Sequence, residues 1–129
     1  EPEQEGAAFC EYLEFTDIYR YLQRVFAREG ITSQLLLLTL TDESGTDPES
    51  SPELERARSA AEYAIRKTFT RSDLCTRYGN NQYLVLLSSP ELRDGKKAQN
   101  GIQKYYEEAS RNARIMLKCE QNAVKLEDK

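Results

Sequence analysis

Histidine and tryptophan are absent from these 129 residues, cysteine occurs only three times, and no apolar run is long. Without histidine there is no imidazole to serve as general base or metal ligand, and every triad that needs one is excluded. Metal chemistry would have to rest on Asp, Glu or Cys. Cys10, Cys75 and Cys119 are widely spaced, odd in number and form no CxxC pair, so reduced, mostly buried thiols are expected and a zinc site is not. The longest apolar run, Leu35 to Leu38, is far too short to span a bilayer, and no charged-then-apolar leader opens the chain. A cytoplasmic location follows as the expectation. Basic charge is also short, with 18 Lys+Arg against 22 Asp+Glu and a formal net charge of −4. Surfaces that track phosphates need a net basic face, so direct nucleic-acid contact is not expected.

What is present suits one soluble domain over residues 1–129: 39% of the residues are apolar and 31% charged, enough for a modest core. The opening at Glu1, without Met and rich in Glu and Gln, suggests a piece excised from a longer protein. Phe15, Ile18, Tyr19, Leu22, Val25 and Phe26 recur at helical spacing, with Gly30 as a stop. Leu35 to Leu40 follows, apolar throughout and too short for a stable helix, as expected of a central strand covered on both faces. Residues 41–51 read as a polar loop. Its end, Ser51-Pro52, places a capping hydroxyl before a first-turn proline, and Leu54, Ala57, Ala61, Ile65 and Phe69 continue one apolar face. Two β-like runs, Leu74 to Tyr78 and Tyr83 to Leu87, flank Gly79-Asn80-Asn81-Gln82, a hairpin signature because Gly and Asn tolerate positive φ. Ala98, Ile102, Tyr105, Tyr106 and Ala109 mark a third helix, entered between Pro90 and Gly95. Ile115, Leu117 and Cys119 then alternate with Met116, Lys118 and Glu120 as a last strand. The order α-β-α-β-β-α-β predicts an α+β layer sandwich with a mainly antiparallel sheet and packed helices.

The run Arg71-Ser72-Asp73-Leu74-Cys75-Thr76-Arg77-Tyr78-Gly79-Asn80-Asn81-Gln82-Tyr83-Leu84-Val85-Leu86-Leu87 resembles the hairpin of GGDEF domains, the diguanylate cyclase family. There a Ser-Asp-Leu opening and an Arg-Tyr pair lead into Gly-Gly-Asp-Glu-Phe and an apolar strand. The element order, over about residues 14 to 120, is similar to that family's, and the resemblance implies a ferredoxin-like, nucleotidyl-cyclase-type layer sandwich. The resemblance implies a site built from the end of the first strand and the hairpin, where carboxylates hold divalent metal against a GTP triphosphate. On that pattern the strand-end aspartate falls near Thr39, and Gly79, Asn80, Asn81, Gln82 and Tyr83 take the five motif positions. None is an acid. Neutral carbonyls supply no charge to offset cation dehydration or the approach of polyphosphate. Asp42 lies about three residues off register. At Asn80 a side chain replaces the glycine that lets nucleotide reach the backbone. The loop after the strand also lacks the family's Phe-Lys and Asn-Asp pairs. The family's inhibitory RxxD sequence is broken too: Asp73 holds the acidic position, but Thr70 stands at the arginine position and Arg71 is one residue late, which turns it to another face.

A narrower resemblance is to the degenerate GGDEF-like segment of clostridial regulators that carry a bacterial transcriptional activator (SARP-type) region. It rests on Phe9-Cys10-Glu11-Tyr12, Ile18-Tyr19-Arg20, the Leu35 to Leu40 strand, and Arg77-Tyr78 followed by Gln82 to Leu87. It implies a module within a transcriptional regulator whose DNA-binding part lies outside these residues and whose other domains are its partners; with neutral residues at the metal positions, the module is expected to be catalytically silent, without cofactor or metal. Two alternatives stay open: a nucleotide-sensing domain without chemistry, and a homodimerisation or interdomain module suggested by the aromatic-rich first and third helices. For Asn80, Asn81 and Gln82 the plain reading is good turn chemistry. For Tyr12, Tyr19, Tyr21, Tyr105 and Tyr106 it is packing rather than base stacking. Lys96, Lys97 and Lys104 read as a solvated helix face, and Asp42, Glu43 and Asp47 as loop solubility.

Overall fold

The leucine run lies inside the sheet, one strand in from an edge and not at its centre, and its two faces divide the core in two. The computed structural model describes residues 8–30, 34–45, 51–69, 73–87, 96–110 and 114–121. Its elements are β1 (Ala8–Cys10), α1 (Tyr12–Arg28), β2 (Gln34–Thr41), α2 (Pro52–Thr68), β3 (Leu74–Arg77), β4 (Gln82–Leu87), α3 (Lys96–Ser110) and β5 (Met116–Gln121). The strands form one sheet in the order β1-β3-β4-β2-β5. β1 runs parallel to β3, and every other pairing is antiparallel. Side chains alternate across a strand, so the residues of β2 feed two cores. Leu36, Leu38 and Leu40 join Leu54, Ala61 and Ile65 of α2 and Ile102 and Tyr106 of α3. Leu35 and Leu37 meet Phe15 of α1 together with Leu84 and Leu86 of β4. A strand covered on both faces has no polar side to show, which is why its sequence is continuously apolar.

The helices start and stop where local chemistry dictates. Ser51 caps α2, its hydroxyl accepting from the Leu54 amide at 3.1 Å, and Pro52 opens the first turn. Ala57, Ala60, Ala61 and Ala64 are all buried and keep that face thin, which lets α3 lie close. At the crossing, a Cβ on Gly101 would stand 3.0 Å from Thr68 Cγ2. Beyond α1, Gly30 takes φ 71° and its amide bonds to the Ala27 carbonyl at 3.2 Å.

The seven expected elements are present in the expected order, and the α+β layer sandwich with a mainly antiparallel sheet is the observed architecture. β1 is an addition, since three residues give no periodicity to read. Cys75 is buried as expected, but Cys10 and Cys119 are only half-buried; all three are free thiols. Pro90 and Gly95 lie outside the described residues. No described helix is long and apolar enough to cross a membrane.

Candidate functional site

The β3–β4 turn meets the C-terminal end of β2 through paired side chains. Register sets Thr39 opposite Gln82, and Gln82 Nε2 donates to Thr39 Oγ1 at 3.2 Å. Asn81 Nδ2 donates to the Leu40 carbonyl at 2.9 Å, while the Leu40 amide donates to the Asn81 carbonyl at 2.8 Å. Asn81 is therefore turned inward and buried, and Thr39 is buried beside it. The Tyr78 amide closes the turn on the Gln82 carbonyl at 2.8 Å. Asn80 is exposed, and its carbonyl accepts from Arg58 Nη1 at 2.9 Å. Arg58 also pairs with Glu55 one turn earlier on α2.

Gly79 departs from the expected left-handed turn. Only Gly30 and Gly45 among the described glycines have positive φ, and a Cβ on Gly79 would meet no atom within 4 Å. The turn is closed by the Tyr78–Gln82 bond and the inward Asn81, with Gly79 outside the left-handed region.

Tyr83 lies buried on the α2 face of β4. Its hydroxyl donates to Glu62 Oε2 at 2.8 Å, and Arg77 Nη2 donates to the same oxygen at 2.9 Å. Burial, then the hydrogen bond to Glu62, pushes the Tyr83 phenol well above its usual range. The hydrogen bond to Glu62 likewise raises the Arg77 guanidinium. Sequence reading missed Glu62, because its partners lie on other strands and no spacing within α2 announces them.

Asp42 and Asp73, the acids nearest the family pattern in sequence, take other places. Asp42 Oδ1 accepts from the Ser44 amide at 3.0 Å and the Ser44 hydroxyl at 2.8 Å, shaping the loop after β2. Asp73 is buried at the start of β3; Arg71 and Thr70 lie outside the described residues. Among the described residues, no group of three or more Cys, Asp or Glu is placed to hold a metal ion. The donors gathered at the strand end are one hydroxyl and two amides, which carry no formal charge. A groove of about 570 Å³ lies between β1, β3 and α2, and one of about 290 Å³ between α3 and β5; neither is lined by Thr39, Asn81 or Gln82.

A crystal structure of a DGC (diguanylate cyclase) protein from Thermotoga maritima is similar to this chain in overall fold, with a TM-score of 0.60 at 12% identity, covering 88% of this chain and 81% of that one. The chain has a GGDEF-like fold. No protein-family model and no curated protein matches the sequence. Within the GGDEF-like fold, the hairpin and the β2 end stand side by side, joined by Thr39, Asn81 and Gln82.

Proposed function

We propose that this chain is a catalytically silent GGDEF-like module that acts by contact with other parts of a transcriptional regulator. One observation carries the reading: the strand end and the turn close on each other through neutral groups, Gln82 on Thr39 and Asn81 on Leu40. A divalent cation facing a triphosphate needs anionic oxygens, and these positions offer none. Incubation with GTP and Mg²⁺ or Mn²⁺, followed by chromatography of the nucleotides, tests it. Unchanged GTP is expected. Formation of cyclic di-GMP would overturn the proposal.

A second reading, nucleotide sensing without chemistry, is favoured by the open space over the Gly79 backbone. Calorimetry against guanine and adenine nucleotides decides it, and silence at about millimolar concentration, equivalent to less than about 4 kcal/mol of binding, removes it.

A further inference from the structure

The two edges of the sheet are finished differently. At the β5 edge, Tyr106 Oη donates to the carbonyl of Ile115, just before the strand, at 2.5 Å, and Gln103 Nε2 to the Leu117 carbonyl at 2.7 Å. Lys118 and Glu120 add charge along the same strand. These are the usual devices that keep an edge from pairing with another chain. On β1, no side chain among the described residues bonds the backbone of the strand, and Phe9 is 43% exposed. The rings of Tyr12 and Tyr78, both also exposed, stand 5.6 Å apart just beyond it. The 570 Å³ groove runs alongside, between β1 and α2.

The groove carries both signs of charge. Glu62 is engaged by Arg77 and Tyr83, but Glu11 and Arg66 are exposed and have no ion-pair partner among the described residues. A two-fold interface presents the same patch twice, so it must be self-complementary. An unpaired acid and an unpaired base in one groove, beside the exposed Phe9 and Tyr12, meet that condition. A partner strongly charged in either sign would leave one of them facing like charge.

We propose that a second copy of this chain docks on this edge, β1 against β1 in antiparallel pairing, with Phe9 at the contact and each copy's Glu11 and Arg66 facing the other's. The inference deepens the reading of the chain as an interaction module by naming its surface and partner.

Sedimentation of the 129-residue chain from about 1 to about 500 µM tests it, since self-association is governed by mass action. A dimer fraction that grows with concentration is expected. Arg66→Glu should weaken the dimer by about tenfold or more, and Glu11→Arg in that background should recover it. Met116→Glu on the opposite edge should leave it unchanged. Thermal melts of the dilute variants confirm that each remains folded. Monomer throughout the range, a dimer indifferent to Arg66→Glu, or one weakened equally by Met116→Glu would each overturn the proposal. None of these outcomes depends on cyclic di-GMP synthesis, which would overturn the silent-module reading and leave the edge test standing.

Discussion

Replacing Tyr106 by Phe removes one oxygen from a buried corner and should change both the size and the pH dependence of stability. The hydroxyl donates to the Ile115 carbonyl at 2.5 Å, and the residue is 3% exposed. Loss of one such bond costs about 1 kcal/mol, and an orphaned buried carbonyl costs more. The adjoining 290 Å³ groove, lined by Gln103, Ile115 and Leu117 as well as Tyr106, lets water reach that carbonyl, so the net loss at pH 7 should be about 1.5 kcal/mol. Over a chain of this size that lowers the Tm by about 5 °C. Burial, with a smaller contribution from Glu53, pushes the Tyr106 phenol up to about 12 from its ordinary 10. A phenol harder to ionise when folded contributes stability that is complete below pH 10 and is lost as the pH rises to 12, because the unfolded chain releases its proton first. At pH 11 the wild type should have lost about 1.4 kcal/mol that the Phe variant never had. Urea unfolding followed by circular dichroism, with reductant present, should therefore show a gap between the two proteins of about 1.5 kcal/mol at pH 7 that closes to near zero at pH 11. A gap that stays constant across that range would refute the placement of the phenol.

The hairpin yields two further expectations. Gly79→Ala should be neutral or stabilise by up to about 1 kcal/mol in a thermal melt, since its backbone is not left-handed, the added Cβ meets nothing, and the unfolded chain loses freedom. The double substitution Thr39→Asp, Gln82→Glu sets two carboxylates where side chains now stand 3.2 Å apart. It should cost about 1–3 kcal/mol by like-charge repulsion, and millimolar Mg²⁺ should recover part of the lost Tm; a Tm indifferent to both the substitution and the cation would contradict the geometry of the strand end.

The parts of this fold legible in the sequence are those whose cause is local. Ser51-Pro52 and the alanine-rich face that follows announce α2 because capping and periodicity act within one or two turns. The continuous apolar run of β2 reports burial on both faces, and Phe15 with Leu35 and Leu37 on one side and Leu54 with Leu36 and Leu38 on the other is the arrangement it requires. Features set by distant partners are not legible in this way. β1 exists because Ala8, Phe9 and Cys10 pair with Leu74, Cys75 and Thr76 far along the chain, and three residues carry no pattern of their own. Glu62 gains its place from Arg77 and Tyr83 across the sheet. The hairpin itself was legible, but the inward turn of Asn81 and the ordinary backbone of Gly79 were not, because turn propensity states which residues tolerate a bend and not which bond closes it.

The same distinction explains how a GGDEF-like scaffold stands with neutral residues at its strand end. Carboxylates crowded at Thr39, Asn81 and Gln82 would repel one another and would depend on a cation for compensation. An amide supplies both donor and acceptor. Gln82 spends a donor on the Thr39 hydroxyl and Asn81 on the Leu40 carbonyl, so β2 and the turn are tied together by groups that need no counterion. Buried hydrogen-bonded neutral groups avoid the desolvation cost that charges would incur at the same depth. The corner thus supports the sheet whether or not any ligand is present. On the proposed reading, that independence allows the domain to serve as a constant shape, with its exposed β1 edge and not its strand end as the surface through which it acts.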